Sequence, residues 1–484
     1  MQGFRYVARP VQHTDHVNAV LALSASPELD IIIPAAKLTN DRMNRLTGFL
    51  LTSIAGAFLL VAPERCLPQT QLVPVKVTVP ASFRSSPFER DRYLEVPHGF
   101  QIRVVSRIPA ARFLAPTPEG GVLVSQPSRG KIWWISPRSA DVSPPILAAG
   151  GLRLPHGMVF TVIGGETYVY VSESNEISRF RYDPDSHKLL NREVVVPNLP
   201  DTSSPELRGA YRHELKNLTI GPDRHLYVDI ASSTNADPRD TTSDPIRCAI
   251  YRYDLYGGNR TLFAKGIRNA EGLAFAPGTN ALWAVVNGTD DIRFPFHRSW
   301  KGSGSDDYGK RITSYIDDHP PDTFIHVKSG ADYGWPFAEP DPDSPSGLDD
   351  MLLDPSYETN RDWSKYPESK FTRSDKGIQA HSAPLGMSFL QETKLPDWLR
   401  NSAAVAYHGS WDRSQKTGYK VVIFPWTSQQ RPGTQVDLVI GWLDDRSQRV
   451  WGRPVDVKPA ISGKSLFISD DYSGTIYELS PEER

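Results

Sequence analysis

The feature that most constrains the fold is a short strand–turn–strand unit that returns along the chain. An alternating apolar strand ends near Ser, Asn or Asp, a turn follows, and a second strand of the form Ile-x-Arg/Trp-x comes back. The unit appears at Gly121–Ser125 with Lys131–Ile135, at Tyr168–Val171 with Ile177–Phe180, and at Leu226–Val228 with Ile250–Tyr253. A fourth copy shows its first strand at Leu282–Val286. The fifth and sixth are Ala404–Ala406 with Tyr419–Val422, and Ser465–Ser469 with Gly474–Tyr477. A further strand running into a turn, as in Leu218–Asp223 and Leu273–Gly278, precedes some copies. Period-two alternation bounded by Gly, Pro and Asp is the signature of strands and hairpins. Units of about 45–60 residues, each too small to bury its own faces, stack as a propeller. The expectation is an all-β, six-bladed β-propeller. The gap between the fourth and fifth copies is roughly twice the usual spacing. It contains Asp306, Asp307, Asp317, Asp318 and Tyr333-Gly334-Trp335-Pro336, and reads as a long inserted loop, not a seventh blade. A pair of β-sandwiches explains the strands but not the repeat.

At 484 residues the chain is long for one domain, but all-β propellers run well beyond the usual length. A formal net charge of −2 with 23% charged residues gives no basic face for nucleic acid and no acidic one for a cationic partner. The only cysteines are Cys66 and Cys248, with no CxxC or CxxCH. That excludes zinc ribbons, thiol redox motifs and a fused c-type haem, and the two thiols read as unpaired.

From Met43, a short basic start leads into the mostly apolar run Leu46–Ala62, the pattern of a secretory signal peptide and too short for a comfortable membrane span. Residues 1–42 then read as an upstream extension. Residues 43–66 are a signal peptide or N-terminal anchor, 67–94 a linker, and 95–484 the propeller domain. The expected location is secreted or periplasmic, with membrane attachment only if 46–62 stays uncleaved; a helix within the fold is the other alternative. Pro63 and the large Leu60 disfavour cleavage after Ala62, and Arg65 before Cys66 does not fit a lipoprotein site.

Several segments carry a more specific likeness. Arg268-Asn269-Ala270-Glu271-Gly272-Leu273-Ala274-Phe275 and Tyr333-Gly334-Trp335-Pro336 resemble elements of the soluble, pyrroloquinoline quinone (PQQ)-dependent glucose and aldose sugar dehydrogenases. His381-Ser382-Ala383-Pro384-Leu385-Gly386, His408-Gly409-Ser410-Trp411-Asp412-Arg413-Ser414 and Gly452-Arg453-Pro454-Val455 resemble the sorbosone and pyranose dehydrogenase branch. The likeness runs from about residue 95 to the end and keeps motif order, which no single tetrapeptide would make persuasive.

The resemblance implies oxidation of a sugar (aldose, pyranose or sorbosone-like) with PQQ and calcium, electrons leaving to an external acceptor such as a dye, quinone or cytochrome. It implies His213, which opens His213-Glu214-Leu215-Lys216-Asn217-Leu218 ahead of Gly221-Pro222-Asp223, as the general base, a task that suits imidazole. It assigns Arg268 to the quinone oxygen that gains charge, and Asn269 to holding the cofactor. Calcium falls to backbone carbonyls of the Asn287–Asp291 loop, at Gly288 and Thr289. His156, His381, Arg413 and Arg453 are further cofactor-facing positions, the arginines as carboxylate clamps.

Without the family each has an ordinary explanation. Arg268-Asn269 is also a side-chain-capped turn, Asn287–Asp291 a solvated one, and Arg453 an inter-blade ion pair. The chain departs from the family pattern where Glu271 replaces the usual Gln, where Asn287–Asp290 lacks a Glu-Arg pair, and where Ser232–Asn235 lacks cysteines. Two other functions stay open: a calcium-dependent lactonase using Glu271, Asn287 and Asp290, and a non-catalytic binding propeller.

Overall fold

The computed structural model describes residues 71–137, 143–344, 348, 351–357, 360 and 370–482. The upstream extension, the signal-peptide segment and Cys66 lie outside the described residues. Cys248 is buried and unpaired among them.

In most units the first strand, which is the second strand of its blade, is the most buried. Val122–Gln126, Leu282–Val286, Ser402–Tyr407 and Leu466–Asp470 are buried along their whole length, because neighbouring sheets cover both faces. Each such strand lies inside a four-stranded antiparallel sheet, and there are six of these sheets. Blade 1 comprises Leu114–Pro116, Val122–Gln126, Lys131–Ile135 and Ile146–Gly150. Blade 2 comprises Met158–Ile163, Glu166–Ser172, Ile177–Asp183 and Lys188–Val196. Blade 3 comprises Leu218–Ile220, His225–Ile230, Ala249–Asp254 and Thr261–Lys265. Blade 4 runs Gly272–Phe275, Leu282–Val286, Asp322–Val327, Lys376–Ile378, and blade 5 runs Pro384–Phe389, Ser402–Tyr407, Lys420–Pro425, Val436–Val439. Blade 6 takes Pro454–Pro459, Leu466–Asp470 and Thr475–Pro481 from the C-terminal end, and its fourth strand, Phe100–Arg107, from the N-terminal end.

The first strand of each blade touches the first strand of the next, and that of blade 6 returns to blade 1. The molecule is thus a six-bladed β-propeller, as the repeat predicts. The recurring sequence unit is the middle hairpin of each blade. The fourth copy had no visible second strand because its partner, Asp322–Val327, follows only after the excursion 287–321. A second excursion, 328–375, separates that strand from Lys376–Ile378. Within and just beyond the stretch read as a linker, Leu72–Lys76 pairs with Tyr93–Pro97, and Leu94 and Val96 are fully buried against Leu438 and Trp442.

An antiparallel meander places the loop between strands two and three at the same end as the loop leading into the next blade. All twelve such loops therefore gather at one end of the ring. The tight ones need special backbone: Gly130 turns at φ +61, where an added Cβ would sit 2.3 Å from the Leu152 carbonyl oxygen. The long ones carry polar side chains, and the site lies among them.

Candidate functional site

His213 sits on the loop entering blade 3. Its Nδ1 lies 3.1 Å from the Ser232 carbonyl oxygen and 2.7 Å from Ser232 Oγ. Ser232 Oγ donates its own proton to the Thr234 carbonyl (2.9 Å), so both oxygens accept from Nδ1–H. The tautomer is therefore fixed, and Nε2 keeps a lone pair. Burial, reinforced by the Arg268 charge, lowers the imidazole pKa to about 3. The Ser232 loop lacks the family's cysteines but is pinned by buried Asp240. That carboxylate accepts from Ser233 N and Oγ (2.8 Å each) and from Arg247 Nε (2.5 Å).

Arg268, 3% exposed, enters from the next loop. Its Nε donates to the Asn235 carbonyl (3.0 Å), and Nη2 donates to Asn235 Oδ1 (2.8 Å) and Asp290 Oδ2 (3.1 Å). Its backbone carbonyl accepts from Ser232 N (2.8 Å), which ties it to the His213 partner. Beside it two buried acceptors have no partner, Asn269 Oδ1 and Glu271 Oε2. Glu271 Oε2 lies 3.7 Å from His156 Nε2, and burial raises the Glu271 pKa.

His156 is fully buried. Arg112 Nε donates to its Nε2 (3.2 Å), so Nδ1–H donates to the Lys216 carbonyl (3.2 Å). Burial, then the Arg112 charge, holds this imidazole neutral, well below its usual pKa. Arg112 Nη1 continues to Asp471 Oδ2 (2.8 Å), and Asp471 Oδ1 meets His408 Nε2 (2.9 Å). Arg453 donates to the His408 (3.0 Å) and Gly409 (2.8 Å) carbonyls and lies over the Tyr419 ring. Arg413 spends its donors on the Asp317 and Ala380 carbonyls, Asp318 Oδ1 (2.9 Å) and the Gln415 carbonyl (3.1 Å).

Gly288 N and Thr289 N donate to Asp322 Oδ1 (2.9 Å) and Glu339 Oε1 (2.8 Å). Neither residue's carbonyl accepts a hydrogen bond among the described residues. Asp322 Oδ2 also accepts from Ala383 N (2.9 Å), which brings the His381 loop alongside. The structure thus gathers His213, Arg268, Asn269, Gly288, Thr289 and His381 around blades 3 to 5. It places His156 and Arg453 across the ring and turns Arg413 to the excursion. Reading the motifs did not single out Arg112, Asp471 or Glu339, since their partners are far away in sequence, and it noted Ser232 only within a segment that lacks the family's cysteines. A pocket of ≈ 320 Å³ opens nearby, lined by Arg112, Leu154, Tyr211, Arg212 and Glu214, the last two flanking His213.

Residues 94–482 match the TrAA12-like family model. The chain belongs to that family. The TrAA12-like chain is 22% identical over 440 residues to the PQQ-dependent pyranose dehydrogenase of Coprinopsis cinerea, 79% of this chain, and spans 54% of that curated relative. It is 23% identical over 398 residues to an uncharacterised protein of Borreliella burgdorferi, covering 81% of this chain and 91% of the other. Two solved structures share its fold. The holo PQQ domain of the C. cinerea pyranose dehydrogenase has a TM-score of 0.64 at 18% identity, over 80% of this chain and 97% of that one. The calcium structure of a Trichoderma reesei family AA12 enzyme has a TM-score of 0.64 at 19% identity, over 80% and 96%. The TrAA12-like chain is therefore related to PQQ-dependent sugar dehydrogenases. Its residues fit such a cofactor. Unpartnered Asn269 Oδ1 and Glu271 Oε2 need a donor, Arg268 offers a buried cation, and two free carbonyls suit a hard cation. Among the described residues no helix is long and apolar enough to cross a membrane.

Proposed function

We propose that this chain oxidises a sugar hydroxyl with PQQ and calcium, His213 taking the hydroxyl proton. The observation that carries the reading is the fixed His213 tautomer, with Nδ1–H held by Ser232 and a lone pair left on Nε2. The neutral imidazole leaves Nε2 open as a proton acceptor, while the burial and the Arg268 charge that lower its pKa to about 3 also weaken it as a base in the unliganded site. Arg268, anchored by Asn235 and Asp290, sets a positive charge beside it and opposes protonation until negative charge develops nearby. Asn269 supplies an amide with a free oxygen, and Arg453 and His381 edge the same end of the ring. The Gly288 and Thr289 carbonyls would hold calcium, and His156 with Glu271 would close the floor. PQQ, when bound, supplies a quinone that accepts the two electrons leaving the sugar carbon. The pocket beside Arg212 and Glu214 has the size expected for a small sugar. The location we propose is outside the cytoplasm, on the Leu46–Ala62 run.

The test is dye-linked oxidation of aldoses, pyranoses and sorbosone by metal-free protein reconstituted with PQQ and calcium. Activity that requires both additions supports the reading. No PQQ binding and no oxidation would overturn it, and lactone hydrolysis without PQQ would replace it.

A further inference from the structure

Three metal-ligating side chains converge where the excursion of blade 4 meets blade 5. Asp290, His381 and Asp412 each offer one ligand atom, and these atoms lie within 4.8 Å of one another. A single ion with bonds of about 2.0–2.3 Å places neighbouring ligands about 3 Å apart and opposite ligands about 4.5 Å apart, so the spacing suits one octahedral or lower coordination sphere.

The imidazole gives the independent sign. His381 has only 5% of its side chain exposed. Its Nε2–H donates to the Ile316 carbonyl at 2.6 Å, so Nδ1 carries the lone pair. Nδ1 faces Asp412 Oδ2 at 3.7 Å, too far for a hydrogen bond, and has no other partner among the described residues. A ring nitrogen fixed by a backbone carbonyl, with the opposite nitrogen turned on carboxylates, is the arrangement found around metal-bound histidines. His381 reaches it in a left-handed backbone conformation, φ +61. Asp322 bonds both Gly288 N and Ala383 N and so holds the two loops in register. Asp290 gives Oδ2 to Arg268, while Asp412 meets no cation nearer than the imidazole.

We propose that Asp290, His381 and Asp412 bind one divalent ion directly through their side chains. One nitrogen and two carboxylate oxygens favour a smaller first-row ion such as Zn²⁺ or Mn²⁺ over Ca²⁺, which prefers six to eight oxygens. The ion and the Arg268 guanidinium share Asp290. The inference rests on this geometry alone and does not require the redox reading.

The experiment titrates Mn²⁺ into chelator-treated full-length protein without PQQ, read by electron paramagnetic resonance. One site per chain is expected, weakened more than about 100-fold in both His381→Ala and Asp412→Asn. His319→Ala, from the separate His319/Asp341/Asp343 group, serves as the control and should leave binding unchanged, with folding checked because His319 is buried. Asp412 is partly exposed, so its variant reports even if His381→Ala fails to fold; circular dichroism checks both. Mn²⁺ binding that survives both substitutions assigns the ion to backbone carbonyls and overturns the proposal, as does no binding at all or loss only with His319→Ala. PQQ binding, followed by absorbance in the same samples, scores the redox reading separately.

Discussion

Two sides of the same end of the ring are built differently. Around blades 6, 1 and 2, Arg112, Asp471 and His408 satisfy one another, and Arg112 also caps His156. The carboxylate of Asp471 is held well below its usual pKa by His408 and then Arg112, against its burial. Around blades 3 and 4 the polar groups are left incomplete. Nε2 of His213 is free, Asn269 Oδ1 and Glu271 Oε2 lack donors, and two backbone carbonyls point at no protein donor. A saturated network rigidifies, while an unsaturated buried group stays costly until something fills it. On the proposed reading the contrast separates scaffold from working surface, and the two meet at the 3.7 Å gap between His156 and Glu271.

Substitutions on the two sides should therefore fail in different ways. His213→Ala should lower kcat about 10³-fold with PQQ binding retained, measured by dye-linked oxidation alongside cofactor absorbance. Arg268→Ala should cost about 10²-fold in kcat/KM with a Tm change of only a few degrees. Arg112→Met should do the reverse. It leaves the Asp471 carboxylate without its guanidinium and should cost about 3 kcal/mol in denaturant unfolding, with the remaining folded enzyme near full kcat and only KM raised through the pocket that Arg112 lines. If Arg112→Met destroys kcat and Arg268→Ala destroys stability, the comparison is wrong.

Acid titration sharpens it further. The folded His213 imidazole, at about 3, binds fewer protons than the unfolded one, near 6.5. Its contribution to stability is complete above pH 6.5 and is lost as pH falls through the window down to about 3. His213→Gln should flatten that part of the acid slope in thermal unfolding. Glu271 has the opposite sign. Its raised carboxyl retains a proton that the unfolded chain releases, so stability falls as pH rises past the ordinary glutamate value. Glu271→Gln should then be more stable than the parent at neutral pH, with activity changed less than tenfold. Arg413→Ala, whose donors already meet backbone carbonyls and Asp318, should have the smallest effect, within about threefold in KM.

The legible parts of the molecule are those whose partners are close in sequence. A middle hairpin such as Val122–Gln126 with Lys131–Ile135 carries its turn and its partner together, so period two and a glycine reveal it. Asp322–Val327 is equally regular yet was invisible, because its partner lies before an excursion of irregular chain. The same rule governs the site. His213, Arg268 and Asn269 stand out through local motifs. The Arg112–Asp471 pair joins residues 359 positions apart, and the role of Ser232 depends on which way its hydroxyl proton points. Glu271 was visible as a departure from pattern, but only burial shows that its oxygen is unpartnered.

The strand Phe100–Arg107 has a consequence for the order in which the protein is made. It leaves the ribosome before any blade exists, while its partner, Thr475–Pro481, emerges only after the other five blades. Until then the early strand must wait with its edge groups open, and the nascent ring has a seam that only Thr475–Pro481 can seal. A chain stalled before Thr475 should expose two sticky edges and aggregate, however well its other blades have formed.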